Sequence, residues 1–274
     1  MRAIRAILRR NLTAFWGDTG RLAGTLIMPL FMLFTCTFAM KSADGIETPI
    51  NYLIAGIAVM IVFQGVLNNS TAVLTDIASG FMKEIIVAPV DRKNIAIGNI
   101  LSAALLAAIQ GVFILIIGIP FGFRTTISGF FLMVLLMIPT GIVLSAIALF
   151  LSLVSKNQTN FQMISSMVIF PAMFLSGAYI PTFMIPRFLQ VFVYINPLTY
   201  LTGAFRYAAL GMKGLSTEEL VSQGVAYQFG GVTITPAITW IFVLTIGVIF
   251  FALCVYKFKK VNLAEIQGRT RGRR

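Results

Sequence analysis

Long uncharged apolar stretches alternate with short polar segments along the whole chain. A helix that crosses a bilayer needs about 20 mostly apolar residues. Six stretches approach or exceed this length without Asp, Glu, Lys, Arg or His, at residues 22–40, 50–75, 94–123, 125–155, 157–186 and about 235–256. Each is too short to cross twice. The pattern predicts an all-α integral membrane protein, one transmembrane domain over residues 1–274 with six transmembrane helices.

The first residues follow an amphipathic pattern. The apolar arc of residues 2–17 holds Ile4, Ile7, Leu8, Leu12 and Phe15, and the opposite arc holds Arg2, Arg5, Arg9 and Thr13. We interpret segment 2–21 as an interfacial helix on the inner leaflet, with Trp16 near the headgroups; a frayed basic tail is the alternative. A basic segment followed by an apolar stretch could be a cleaved secretory signal, but the stretch at 22–40 is longer than the roughly 7 to 15 residues of a signal core. We therefore interpret it as a membrane span.

Composition agrees with lipid as the solvent. Hydrophobic residues make up 58% of the 274 positions and charged residues 11%, whereas soluble domains carry about 25% charged residues. The net charge of +12 comes from residues between the apolar stretches and at the chain ends. These are topology signals, and they indicate no nucleic-acid partner. Cys36 and Cys254 lie in apolar stretches, so neither a disulfide nor a metal site is predicted.

The distribution of basic residues predicts the orientation. Cytoplasmic loops are enriched in Lys and Arg, and sixteen of the 21 such residues fall on the side that holds both termini and the loop at 76–93. Five fall on the other side. We therefore expect both termini and this loop in the cytoplasm.

The loop at 76–93 mixes charges with apolar residues. If it is helical, an apolar stripe has Lys83 and Glu84 outside it, and Pro89 ends the helix. The stripe consists of Phe81, Met82, Ile85 and Ile86. Such a helix would fill a groove on a partner protein; an ordinary connector resting on the membrane is the alternative.

Three segments carry a resemblance to a known family. Residues 80–92, Gly-Phe-Met-Lys-Glu-Ile-Ile-Val-Ala-Pro-Val-Asp-Arg, are followed by Ile97-Gly98; residues 196–206 begin Asn-Pro; and residues 174–181 read Phe-Leu-Ser-Gly-Ala-Tyr-Ile-Pro. Taken in their order along the chain, these segments resemble those of type-2 ABC exporter permeases of the daunorubicin-resistance and nodulation-factor exporter group. The chain departs from that pattern at Asn99, where many relatives have lysine, and at Asp76, where a glutamate-arginine pair is more usual.

The resemblance implies a coupling element that inserts into a separate ABC ATPase subunit. Its residues would be Asp76, Gly80, Phe81, Met82, Lys83, Glu84, Ile85, Ile86, Pro89 and Arg92. Two permease copies, identical rather than different, would pair with two ATPase copies. The implied location is the prokaryotic plasma (inner) membrane.

Energy for transport is expected from the partner. The chain has no Gly-x-x-x-x-Gly-Lys-Ser/Thr phosphate-binding loop, so we expect no ATPase activity of its own, no cofactor in this chain, and ATP and Mg on the partner. Ion-coupled carriers usually place ionisable residues inside their spans. Their absence from the six stretches weakens the case for an ion-coupled carrier; a stand-alone secondary transporter or channel is the remaining alternative of a different class.

The resemblance also places the translocation path along the second and fifth spans. The expected lining residues are Phe63, Gln64, Asn68, Met163, Phe170 and Phe174. The alternative is that the amides only join neighbouring helices. A mostly apolar path favours a hydrophobic or amphiphilic substrate, drug or lipid-like; export of a glycolipid or polysaccharide by the same fold is the second hypothesis.

Prolines and glycines break up the chain before the last span. The segment is divided into pieces shorter than a membrane span by Pro181, Pro186, Pro197 and Gly203. As the family fold implies, we expect residues 184–208, which include Asn196 and Pro197, to form two short re-entrant helices in the outer leaflet. Arg187 and Arg206 would reach headgroups or each other. A plain extracellular loop is the alternative.

Overall fold

A computed structural model describes residues 2–17, 19–41, 49–79, 91–180, 182, 185–212, 216–222, 224–229, 232–234 and 236–260. The described residues are almost entirely helical. The helices are α1 (Arg2–Gly17), α2 (Thr19–Lys41), α3 (Pro49–Ser79), α4 (Arg92–Gly118), α5 (Ile127–Val154), α6 (Gln158–Leu175), α7 (Gln190–Ile195), α8 (Pro197–Ala209), α9 (Thr217–Ser222) and α10 (Pro236–Lys260). Short 3-10 turns occupy Ile119–Phe121 and Arg187–Leu189.

Two short strands depart from the all-α prediction. Strand β1 (Tyr227–Phe229) pairs antiparallel with β2 (Val232–Ile234), and Tyr227 lies opposite Ile234. Aromatic and β-branched residues favour strands, and both strands carry them. The segment before α10 therefore contributes a strand pair to the described fold.

Within the part of the chain that the structure describes, four helical segments are long and apolar enough to cross a membrane: Ile50–Asp76, Lys93–Phe121, Ile127–Val154 and Ile238–Lys257. They correspond to the predicted second, third, fourth and sixth spans. The chain is thus a multi-pass membrane protein. Helix α2 contains a shorter apolar segment, Ile27–Phe38, and α6 has 18 residues with polar side chains in its first turns.

Polar side chains define where these helices begin. Asp91, Thr126, Asn157 and Asn196 each accept a hydrogen bond from a backbone N–H in the first turn of α4, α5, α6 and α8. These bonds satisfy donors that a helix start leaves unpaired. The predicted breaks at Arg124 and Lys156 are confirmed, since α5 and α6 begin directly after them.

Helix α3 is the centre of the bundle. It packs against α2, α4, α5, α6 and α8, and 89% of its spanning segment is buried, compared with 22% for α10. Small residues permit close packing: a Cβ on Gly65 would lie 3.1 Å from the Ala107 Cβ, and one on Gly141 would lie 3.0 Å from the Ala104 oxygen. The α3 helix therefore has neighbours on every side.

Candidate functional site

The beginning of α3 holds a buried arginine. We call this part of the molecule the Tyr52 end, and the other end of α3 the Asp76 end. Arg206 of α8 is 0% exposed, and its guanidinium carbon lies 3.5 Å from the centroid of the Tyr52 ring. Its Nη2 donates to the Gly177 carbonyl, and its Nη1 donates to the Gly224 carbonyl at 3.4 Å.

Tyr227 completes the group that we call the Arg206 cluster: Arg206, Tyr52, Gly177, Gly224 and Tyr227. The Tyr227 hydroxyl lies 3.1 Å from both the Thr199 and the Gly224 carbonyl oxygens. Burial raises the pKa of Tyr227 above its ordinary value, although the nearby Arg206 charge acts in the opposite direction. The phenol keeps its proton, which it can donate to either of these carbonyls.

The expectation that Arg206 reaches lipid headgroups is wrong; the side chain of Arg187 lies outside what the structure describes. The Arg206 side chain is fully enclosed, and its recorded hydrogen bonds go to backbone carbonyls. This arrangement could not be predicted from the sequence, because the acceptors are backbone carbonyls of glycines that are distant in sequence from Arg206. The sequence analysis assigned no role to Tyr52, Gly177, Gly224 or Tyr227. The signal in the sequence was that Gly177 and Gly224 each lie in an otherwise apolar segment.

Further hydrogen bonds join the end of α6 to α8. Asn196 begins α8 and donates from its side chain to the Ala172 carbonyl of α6 at 3.2 Å. The Thr199 hydroxyl lies 3.3 Å from the Leu175 carbonyl and 2.7 Å from the Val193 carbonyl. A Cβ on Gly56 of α3 would collide with the backbone of Ala178. The chain that leaves α6 is therefore packed tightly between α3 and α8.

Helix α6 buries one side and exposes the other. Phe161 and Ser165 point into the bundle. On the opposite side, three of the predicted path residues are exposed: Met163 by 58%, Phe170 by 61% and Phe174 by 44%. Met167 lies in the same stripe. The structure thus brings these three together on one apolar face.

The other predicted path residues lie elsewhere. Phe63 of α3 is only 4% exposed, inside the bundle, and Gln64 and Asn68 are half-buried. Because Phe63 is enclosed, the six residues do not all share the exposed face of α6.

The Asp76 end joins α1 to two spans. Arg10 of α1 forms an ion pair with Asp76 at 2.7 Å. Asn11 donates to the Ser102 hydroxyl of α4 at 2.7 Å, and Ile7 lies against Gly98. The α1 helix is present as predicted, but its apolar arc packs on α4, and sequence reasoning missed the Arg10 partner of Asp76.

Most of the predicted coupling residues lie outside the described residues. These are Gly80, Phe81, Met82, Lys83, Glu84, Ile85, Ile86 and Pro89. Asp76 lies in the last turns of α3, and Arg92 begins α4. The segment therefore connects two of the helices that α1 contacts.

Comparison with known proteins places this helical bundle in a family. The family model described as ABC-2 type transporter matches residues 2–210, which include α1 to α8. The chain belongs to this family. This ABC-2 permease is similar to proteins that are themselves named transport permeases.

Two relatives align over most of their own length. The putative transport permease ycf38 of Porphyra purpurea is 26% identical over 227 residues, 80% of this chain and 77% of the relative. The daunorubicin resistance ABC transporter permease protein DrrB1 of Streptomyces coeruleorubidus is 26% identical over 234 residues, 82% of each chain. This ABC-2 permease is therefore the membrane-spanning part of an ABC transporter.

Proposed function

We propose that this chain is the permease subunit of an ATP-driven exporter that moves a hydrophobic or amphiphilic substrate out of the cell. The observation that carries the proposal is the ABC-2 family match over residues 2–210. The name of DrrB1, a daunorubicin resistance permease, supports a drug-like amphiphile as substrate. The chain lacks a phosphate-binding loop, which supports a separate ATPase that carries ATP and Mg.

The proposed topology has six spans with both termini in the cytoplasm of a prokaryotic plasma membrane. Helix α2 has 23 residues, about 35 Å at 1.5 Å per residue, which is enough to cross a hydrocarbon core of about 30 Å. Helix α6 has 18 and would be the fifth span. Helices α7 and α8 form the re-entrant segment over residues 184–208, at the outer side. The Tyr52 end is then the outer end of the single domain 1–274.

The proposed coupling element is the segment 76–93. Its apolar stripe would enter a groove on the ATPase, and Asp76 would hold α1 through the ion pair with Arg10. This pair supports the assignment because it joins the interfacial helix to the start of the loop. Movement of the ATPase would then reach α1, α3 and α4 together.

The proposed translocation path follows the exposed face of α6. Met163, Phe170 and Phe174 are free to meet a second permease copy or the substrate, and flexible Met and aromatic side chains suit varied apolar molecules. Two copies would enclose this face, with two ATPases below. Phe63, Gln64 and Asn68 would contribute only where α3 approaches it.

Charge substitutions in the loop test the proposal. Met82→Asp with Ile86→Asp should abolish ATPase co-purification and export, since each buried apolar side chain contributes about 1.5 to 3 kcal/mol and a stranded charge costs more. The double mutant should still insert, because the substituted residues lie outside the predicted spans.

The matched control is Lys83→Ala, which should have little effect because an exposed ion pair contributes about 0 to 1 kcal/mol. The measurement is mass-spectrometric detection of an ATPase with the purified chain, together with substrate efflux, at matched membrane expression. Unchanged co-purification and efflux in the double mutant would contradict the role of this loop.

A further inference from the structure

Three segments that are distant in sequence converge on Arg206. Tyr52 belongs to the first turn of α3, Gly177 follows α6 by two residues, and Gly224 precedes β1. Arg206 stacks on the Tyr52 ring at 3.5 Å and donates to the carbonyls of the two glycines. One side chain on α8 therefore contacts the end of α6, the beginning of α3 and the segment before the hairpin.

The contacts replace water around a buried cation. In the described part of the chain, the recorded partners of the guanidinium are carbonyl oxygens and an aromatic ring, without a carboxylate. Its Nε has no hydrogen-bond partner among these residues. A buried cation that loses an acceptor pays a large desolvation cost. Moving Gly177 away from Arg206 is therefore unfavourable.

The two glycines leave room for the guanidinium. Gly177 has φ +74 and Gly224 has φ +64, a region that other residues rarely adopt. A Cβ on Gly224 would lie 3.3 Å from the Tyr52 hydroxyl oxygen and 3.4 Å from Arg206 Nη1. The backbone is thus shaped so that its carbonyls approach the charge.

Helix α6 depends on this end for its position. Along its middle, Gln162, Met163, Ser166 and Met167 are exposed, and Phe161 and Ser165 are its fully buried residues. Asn196 and Thr199 donate hydrogen bonds to carbonyls of its last turn. Beyond the helix, Gly177 accepts a hydrogen bond from Arg206, and the backbone of Ala178 packs closely against Gly56. A helix with few buried side chains takes its orientation from where its ends are fixed.

We propose that Arg206 is a positioning residue for transport, which holds the end of α6 against α3 and α8 and thereby directs the Met163, Phe170 and Phe174 face toward the path. This inference rests on the proposed function, because it assigns a use to that face. Export requires the face to keep its direction while the ATPase drives the bundle. Loss of the Arg206 contacts should let α6 rotate or separate, so that ATP is hydrolysed with less substrate moved.

The test compares Arg206→Lys, Tyr52→Leu and Tyr52→Phe in the full chain with its ATPase in nanodiscs. Lysine keeps the charge but loses the planar pair of donors, and leucine removes the ring. Phenylalanine keeps the aromatic ring beside the guanidinium and removes only the hydroxyl. Hydrogen exchange across 172–180 is measured first. We expect it to rise about 10-fold in the lysine variant, from the lost hydrogen bonds of a charged donor, and about 10-fold in the leucine variant, from the strength of a cation–π contact. It should stay near wild type in the phenylalanine variant.

The second measurement is daunorubicin export per ATP hydrolysed in proteoliposomes. A variant that only lowers the amount of folded complex reduces export and hydrolysis together, whereas lost positioning reduces their ratio. We expect a lower ratio for the lysine and leucine variants and recovery in Tyr52→Phe. Wild-type exchange and ratio in Arg206→Lys, or equal losses in both Tyr52 variants, would overturn the inference. A wild-type complex that exports no daunorubicin contradicts the proposed substrate class, and the exchange result then decides the role of Arg206 separately.

Discussion

Gly56 shows how a single residue controls the approach of two segments. It lies on the central helix α3, where a Cβ would collide with the backbone of Ala178. That backbone adjoins Gly177, the acceptor for Arg206. The absence of a side chain at position 56 therefore permits the Arg206 cluster to form.

We expect Gly56→Ala to destabilise the protein by about 1 to 3 kcal/mol, because overpacking forces the neighbouring backbone to shift. The matched control is Gly24→Ala on α2, where a Cβ would have no atom within 4 Å. Alanine favours a helix over glycine by about 1 kcal/mol, so the control should be neutral or stabilising. Thermal unfolding of both variants in detergent checks this, and equal midpoints would contradict the packing argument.

At the scale of elements, α1 is joined to the bundle as well as being amphipathic. Arg10 and Asn11 form polar contacts with α3 and α4, and Phe15 is buried. Arg5 and Arg9 remain exposed, and Trp16 is exposed as well. One side of α1 therefore packs on protein while its basic side and Trp16 remain available to headgroups and water.

Arg10→Ala should loosen α1, whereas Arg9→Ala should not. The Arg10–Asp76 pair is partly exposed, so its loss is expected to cost no more than about 1 kcal/mol and to matter less at high salt. Hydrogen exchange of residues 4–15 at low and high salt measures the effect. Equal exchange in the two variants at low salt would show that the ion pair does not hold α1.

At the scale of the whole molecule, the bundle has a central helix with polar contacts at both ends. The Asp76 end carries the ion pair with α1, and the Tyr52 end carries the buried arginine. Between them, α3 packs through small residues against α4. One continuous helix, α3, therefore connects the two polar sites.

The proposed orientation predicts that the two ends face opposite compartments. Reporter fusions after Arg274 and near Ser216 should report the cytoplasm and the outside, respectively, as expected from the sixteen-to-five distribution of Lys and Arg. A fusion at Lys156 should match the one at Arg274. Agreement between the Arg274 and Ser216 reporters would show that the topology is wrong.

Much of the helical organisation follows from local chemistry. The lengths of the uncharged stretches predict the long helices. Asp91, Thr126 and Asn157 cap the beginnings of three of them, so these boundaries can be predicted from individual residues. The pairing of β1 with β2 could not be predicted in this way, because strands this short have too few residues to show an alternating pattern. The candidate path was only partly foreseen, since Met163, Phe170 and Phe174 share an exposed face but Phe63 is enclosed.

The sequence by itself determined the solvent, the helical class and the positions of the long helices. Each of these depends on backbone groups that must be satisfied within a segment in lipid. The tertiary structure decided which helix is central and where Arg206 goes. Apolar periodicity cannot separate a lipid-facing side from a protein-facing side when both are apolar. The Arg206 acceptors are backbone carbonyls, which every residue carries, so only folding reveals which of them meet the charge.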